Sequence, residues 1–462
     1  LSKVHFKKKF NLAAKIYNEL FPKILIMTKQ IIFLITILLT LGIFSYTAFR
    51  VFQYFKLTKP YPVKNWGKRF LLMFKVAFLQ SKILRYPVIG FLHALVFWGF
   101  IVILIGSIEM IIDGLFGTER VLGFLGYWYN VITASGDVSA LLIALIIIIF
   151  LFRRLFHMVK RFAGIEMLKK SKMDANIALL IIFLLMISLL GMNTFYILGE
   201  PHEYKGYFPV SVILAGFFQS LPESQVHLWH EINWWVHIIW IFIFANILPY
   251  SKHFHVYMSI PNVFLSRLEV LGHLPNMDNV TKEVKIMMNP DQAFSEQDDT
   301  AEEVERFGVL DIEDVTWKNY LDSLACTECG RCTSSCPAAL TGKKLSPRKI
   351  MIDLRARMKE KARGLIKTGK EYTDNKSFIR DYISEEELWA CTTCNACAKE
   401  CPVNINHPTL IVDMRRYLVM EKAAAPVGLN VMFTNIENNG APWQFPPEDR
   451  VLWTENLFMN IS

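Results

Sequence analysis

The chain has 462 residues, of which 53% are hydrophobic and only 20% charged, and its mean hydropathy is +0.30. That length allows two or three domains, and the apolar excess excludes a wholly water-soluble chain in favour of several membrane helices. The net charge of +9 does not read as a nucleic-acid surface, because Lys and Arg sit in loops beside apolar runs, where the positive-inside rule puts them. No nucleic-acid partner is expected.

Residues 1–29 are Lys-rich and reach their first Met at Met27. They read as an upstream extension of the reading frame, or as an amphipathic surface helix carrying Phe10, Leu12, Ile16, Leu20 and Ile24. Five apolar segments follow, at about 31–55, 86–112, 139–156, 176–197 and 232–250, each long enough to cross a bilayer core of about 30 Å. Residues 207–221 are apolar but short, as for a re-entrant or interfacial piece. Eight basic residues lie between 56 and 85, Lys82 and Arg85 among them, and seven more, including Arg161, lie between 153 and 172. Both loops should face the cytoplasm, which puts the N-terminus outside and everything after the fifth span inside.

An acidic connector with SEQDDTAEEVER at its centre spans about 258–316, as surface loop with short helices. Residues 347–367 and 407–423 read as helices, the second with Ile411, Met414 and Leu418 on one face. The segment GAPWQFPPEDRVLW near the end is too rich in Pro for regular structure.

All eight Cys fall in two runs, CTECGRCTSSCP from Cys326 to Pro337 and CTTCNACAKECP from Cys391 to Pro402. Each repeats the spacing CxxCxxCxxxCP, in which the fourth Cys of one run ligates the cluster of the other. Cys326, Cys329, Cys332 and Cys401 are therefore assigned to one [4Fe–4S] cluster, and Cys391, Cys394, Cys397 and Cys336 to a second. Paired zinc sites are the alternative, but a zinc ribbon uses Cys pairs rather than a repeated triplet with a fourth Cys and Pro. Thiolate clusters want a reducing compartment, which agrees with a cytoplasmic C-terminal half.

In the membrane half, His93 lies about two turns into the second span. His237 and His255 lie 18 residues apart, which on one continuous helix is the same face and a rise of about 27 Å. Imidazoles inside a span are costly and mark function. His93 and His255, at similar depth, suit the two axial positions of one haem iron. A packing histidine and an interfacial His255 are the alternatives.

The stretches HIIWIFIFANILPYSKHFH and GFLHALVFWGF resemble the last and second spans of the nitrate reductase gamma subunit family of membrane cytochromes b. The resemblance implies haem b between His93 and His255, with His237 at the outer-haem position. Where that family has a second His ten residues after the first, this chain has Ile103, so His237 lacks an evident partner. One or two haems are implied, with His202, His227 and His230 nearby, or else a quinone site at His237 or His230. LACTECGRCTSSCPAALTGKKLSPRKI and CTTCNACAKECPVNINHP resemble the C-type subunit of heterodisulfide reductase and related (Fe-S)-binding oxidoreductases.

These resemblances imply a mainly α fold. A five-span transmembrane helical bundle is followed by a cytoplasmic α-helical domain of ferredoxin type with two [4Fe–4S] clusters. The parts are an N-terminal extension or amphipathic segment (1–29), a cytochrome b-like membrane domain (30–257), a polar connector (258–316), the cluster domain (317–425) and a C-terminal tail (426–462). The implied function is a membrane-anchored electron-transfer subunit of a quinone oxidoreductase in the inner membrane of a prokaryote. It would join a soluble partner, such as a heterodisulfide reductase-like protein with CCG motifs, to menaquinone or ubiquinone. No residue is given a catalytic role, since the substrate chemistry is expected on the partner. The alternatives are a self-contained ferredoxin:quinone reductase docking at Lys343, Lys344, Arg348 and Lys349, and a non-enzymatic redox anchor.

Overall fold

The computed structural model describes residues 2–162, 164, 169–200, 204–289, 306–369 and 371–455. Most of the acidic run in the connector, and His202, lie outside the described residues. Helices α1 (Ser2–Phe55), α2 (Trp66–Met73), α3 (Pro87–Phe116), α4 (Tyr127–Leu155), α5 (Lys169–Gly199), α6 (Pro209–Ala215), α7 (Glu223–Ile247) and α8 (His255–Phe264) build the first half. Among the described residues, five stretches are long and apolar enough to cross a membrane: Met27–Phe55, Pro87–Phe116, Tyr127–Leu155, Ser171–Gly199 and Glu223–Tyr250. A helix satisfies its own backbone polar groups, which hydrocarbon cannot do.

The spans close into a ring in which α1 meets α3, α3 meets α4, α4 meets α5, α5 meets α7 and α7 returns to α1. Small residues set the close approaches. A Cβ on Gly191 of α5 would stand 2.4 Å from the Asn233 side chain of α7, and one on Gly114 of α3 would stand 2.7 Å from Phe33 of α1. Phe33 in turn packs edge-on against Trp234 with ring centroids 5.4 Å apart.

The third span begins at Tyr127, twelve residues before the position its apolar run suggests. The intervening polar residues find partners inside the protein. Asp137 is buried and accepts bonds from the Val210 and Ser211 amides at 2.8 and 2.9 Å and from the Ser211 hydroxyl at 2.5 Å. These bonds hold α6, the short apolar piece, against α4.

The fifth span corrects the placement of His255. Helix α7 stops at Ile247, a 3-10 turn Leu248–Tyr250 contains Pro249, Ser251 is extended (φ −96°, ψ 159°), and α8 starts at His255. His237 and His255 therefore do not share one continuous helix, and the rise of about 27 Å along a single axis does not apply. Pro249 lacks the N–H that would carry the helix on.

In the second half, helices Trp317–Ala325, Pro347–Thr368 and His407–Met420 pack around Leu324, Ile350, Leu354, Met358, Phe378, Leu410 and Met414. Thr316 and Asn319 form a capping box that starts the first of these helices. Tyr54, Phe254 and Val263 of the membrane half belong to the same core. Backbone bonds Lys59 N–H to Val315 O (2.8 Å) and Trp317 N–H to Lys59 O (3.0 Å) join the halves. The loop after α1, the loop between α4 and α5 and the segment after α7 all meet the cysteine-bearing domain, so both basic loops lie on its side. At the C-terminal end a helix spans Val427–Asn439, and a 3-10 stretch Pro447–Thr454 replaces part of the irregular chain expected of GAPWQFPPEDRVLW. Among the described residues the only β pairings are two isolated bridges.

Arg357 is wholly buried and forks onto Asp311 at 2.9 and 2.7 Å and onto Asp374, whose carboxyl it holds down to about 2. Lys361 adds a second cation to Asp311 at 2.9 Å. Arg357→Met is expected to cost about 3 kcal/mol, because it leaves buried carboxylates short of charge while Lys361 limits the damage. Thermal unfolding of the purified protein in detergent measures it.

Candidate metal centres

The two cysteine runs adopt one backbone conformation. Glu328 and Thr393, each two residues after the first Cys, have φ of 55° and 53°, and Gly330 and Asn395, each four residues after it, have φ of 75° and 61°. Gly and Asn are the residues that take the left-handed region most readily. At Gly330 space also forbids a side chain, since a Cβ would meet Arg348 Nη1 at 2.7 Å and Arg161 O at 2.8 Å. Short helices Arg331–Ser334 and Ala396–Glu400 follow in equivalent places and carry the chain to the fourth Cys.

The fold brings the fourth Cys of each run to the other run. Cys326, Cys329, Cys332 and Cys401 line one cavity. Cys391 and Cys397 lie within electrostatic reach of Cys336 and Cys394. Cys332 also feels Cys397, so the two groups are neighbours. Among the described residues no three His, Cys, Asp or Glu side chains converge on a single-ion site. Burial pushes the Cys326 thiol up to about 11 and the Cys397 and Cys401 thiols up to about 12. Such thiols become thiolates only when a metal cation takes the place of the proton. Backbone N–H groups already point at the sulfurs, Ile405 at Cys401 Sγ (3.3 Å) and Thr393 at Cys391 Sγ (3.4 Å), as cluster sulfurs require.

The first cavity is deeply set. Cys326, Cys332 and Cys401 are buried, and Arg348, Val403, Ile405 and His407 complete its walls. His407 is 1% exposed, its Nδ1 has no partner, and burial pushes its imidazole down to about 4, so the ring is neutral. An orphaned polar atom in the wall of a cysteine cavity fits a site built to be filled by a cluster whose sulfurs accept hydrogen bonds. The second group is more open, with Cys394 exposed and Cys391 half-buried.

Several residues that the loops hid from sequence reasoning attach the first cavity to the membrane half. Lys82 Nζ donates to Cys401 O (3.1 Å), Arg331 Nη1 to Lys82 O (3.1 Å) and Arg348 Nη1 to Arg161 O (2.8 Å). The Arg331 guanidinium lies over the Tyr86 ring, 4.4 Å from its centroid, where α3 begins. Lys82, Arg85 and Arg161 read in sequence as topology signals only. The proposed docking set also changes: Arg348 is 1% exposed, Lys344 pairs with Glu386 and Lys349 with Asp353 and Glu387, leaving Lys343 as the exposed cation without a described partner from that set.

Two turns along α3, His93 is exposed, and it lies within electrostatic reach of His255 and Arg331. His255 Nδ1 faces Lys252 O at 3.3 Å, which leaves Nε2 as the free ring nitrogen. His253, missed in sequence, packs beside it with ring centroids 5.8 Å apart and bonds Ser251, which in turn donates to Asp174 (2.8 Å). His237 is different. It is 2% exposed, and its Nδ1 lies 3.0 Å from both Leu185 O and the Ser188 hydroxyl. Ile103 packs with Ile143 and Leu185 in the same apolar cluster. His230 instead sits beside Tyr196 and Glu231.

Residues 322–405 match the 4Fe–4S dicluster domain. The chain is 30% identical over 409 residues to the iron-sulfur-binding oxidoreductase FadF of Bacillus subtilis, covering 82% of this chain and 54% of that protein. It is 28% identical over 419 residues to the EtfAB:quinone oxidoreductase of Syntrophomonas wolfei, covering 84% of this chain and 54% of that one. The cluster region alone is 35% identical over 107 residues to the C-type subunit of the ferredoxin/F(420)H(2)-dependent CoB-CoM heterodisulfide reductase of Methanosarcina acetivorans, covering 23% of this chain and 52% of that one. The chain thus spans about half the length of the curated relatives it matches. No solved structure matches it. The relatives are oxidoreductases or their subunits, and with five apolar helices they support a multi-pass membrane oxidoreductase subunit that holds iron–sulfur clusters.

Proposed function

We propose that this chain carries electrons between a soluble redox partner on the cluster-domain side and a membrane quinone. Cys326, Cys329, Cys332 and Cys401 hold one [4Fe–4S] cluster, and Cys391, Cys394, Cys397 and Cys336 the other. His93 and His255 are the axial ligands of one haem b. The clusters and the haem supply one-electron chemistry, which the organic or disulfide chemistry of a partner lacks on its own. The protein's part is to hold these groups in line and dry. Arg331 and Tyr86 bridge the first cysteine cavity to the start of the helix that bears His93, and this contact carries the reading. The exposed Cys394 edge is where the partner docks, and the basic loops support a cytoplasmic position for that side.

The outer position does not fit a second haem. His237 is buried with its Nδ1 engaged by Leu185 O and Ser188, and the family resemblance puts Ile103 at the position of the second ligand. We assign His237 to packing, with Ser188 and the Leu185 carbonyl as its partners. The name of the Syntrophomonas relative supports a quinone as the membrane-side substrate.

The test is a visible spectrum of the purified protein after addition of menaquinol or ubiquinol analogues. A b-type band that appears with quinol and is reoxidised by quinone is the expected result. A protein with full iron but no quinol-reducible band would overturn the membrane half of the proposal.

A further inference from the structure

The two cysteine groups sit in unequal electrostatic surroundings. Around the membrane-proximal group the cations are fixed, Arg331 and Arg348 buried, Lys82 and Arg355 half-buried. Lys82 Nζ donates to Cys401 O (3.1 Å), Arg355 Nη1 to Cys326 O (3.4 Å), and Arg348 lines the cavity with its Nη1 3.4 Å from Glu328 O. Arg331, next to Cys332, is 7% exposed. Against these stand Glu328, which Arg355 pairs and Ser171 caps, and Glu400, which Arg85 holds at 3.6 Å. Around the distal group the corresponding cation is Arg415, which donates to Cys391 O and Leu388 O and lies over Trp389 at 5.0 Å.

Reduction adds one negative charge to a cluster, and fixed cations nearby stabilise it. In a poorly screening interior each cation counts for more than it would in water. The exposed distal site gains some stabilisation of the added charge from water. That gain opposes the asymmetry but is spread over one open side, whereas the proximal cations are held within one or two residues of the ligands.

We propose that Lys82, Arg331, Arg348 and Arg355 make the proximal group, Cys326, Cys329, Cys332 and Cys401, the more easily reduced of the two, so that electrons collect beside the membrane. Lys82 is the informative member, because it comes from the membrane half, eleven residues before His93. The membrane domain thereby sets the potential of a site whose ligands all lie in the other domain. The inference rests on the reading that both groups hold [4Fe–4S] clusters. Its redox step moves one electron from the soluble donor to the proximal site and requires no proton.

The experiment is a potentiometric titration of the detergent-purified holoprotein, followed by electron paramagnetic resonance. Iron and sulfide counts precede it. If they fall short of two clusters, the cluster reading fails, and that failure is separate from the ordering of potentials. With two clusters present, Lys82→Gln keeps a donor for Cys401 O but removes the charge. It is expected to lower the reduction equilibrium of the higher-potential cluster about tenfold, which is about 59 mV for one electron. The lower-potential cluster should not move, and Lys82→Arg should restore the original value. Arg331→Gln, acting on the same site from the cluster domain, should move the same midpoint the same way, and Arg415→Gln should move only the lower one. A Lys82→Gln shift in the lower-potential cluster, or in neither, would overturn the proposal.

Discussion

Cys401→Ser removes roughly half of the bound iron, and the signal it removes is the one that Cys329→Ser also removes. Cys336→Ser and Cys394→Ser remove the other. The expectation follows from the cavity shared by Cys326, Cys329, Cys332 and Cys401, in which a residue 75 positions away in sequence completes a set of three. Cys401 is 5% exposed, and two backbone N–H groups, of Ile405 and Val403, are aimed at its sulfur. A serine hydroxyl there is a poorer ligand that stays protonated away from water. Iron analysis with electron paramagnetic resonance on the four single variants checks the pairing. If Cys401→Ser and Cys394→Ser extinguish the same signal, each run closes its own site and the crossed assignment is wrong.

The second large effect lies in the membrane. His93→Ala and His255→Ala should each abolish the b-type spectrum, while His237→Ala should leave it in place. The difference comes from the surroundings of the rings. His93 is exposed and within electrostatic reach of His255, whose Nδ1 is engaged by Lys252 O, so that Nε2 is available to iron. His237 is closed in by α5, and its loss removes a buried hydrogen bond at a cost of about 1–3 kcal/mol in stability. Pyridine haemochrome assays on the three variants, normalised to protein, decide it. Haem retained in His93→Ala, or lost only in His237→Ala, would move the haem to the outer position.

Much of this was legible in the linear chain. A repeated CxxCxxCxxxCP has few chemical uses, and Gly330 and Asn395 mark the left-handed turns that the loops need. The five spans were legible because hydrocarbon demands long apolar helices. The start of α4 was not, because Thr133 and Asp137 look like loop residues until the Tyr129 carbonyl, Val210 and Ser211 satisfy them. His255 stands out in the sequence, but the helix that carries His237 ends at Ile247, before Pro249, and does not reach it.

The sequence by itself therefore determined the ligand chemistry, the number of spans and the side on which the basic loops gather, because each depends on residue type and spacing along one segment. The tertiary structure alone decided that His407 and Arg348 wall the cavity of Cys326, Cys329, Cys332 and Cys401, and that Lys82 and Tyr86 join it to the helix of His93. It also decided that His237 is packed while His93 is open. Those are meetings between segments far apart in the chain, fixed by how α3, α5, α7 and the cluster domain pack, and local pattern carries no record of them.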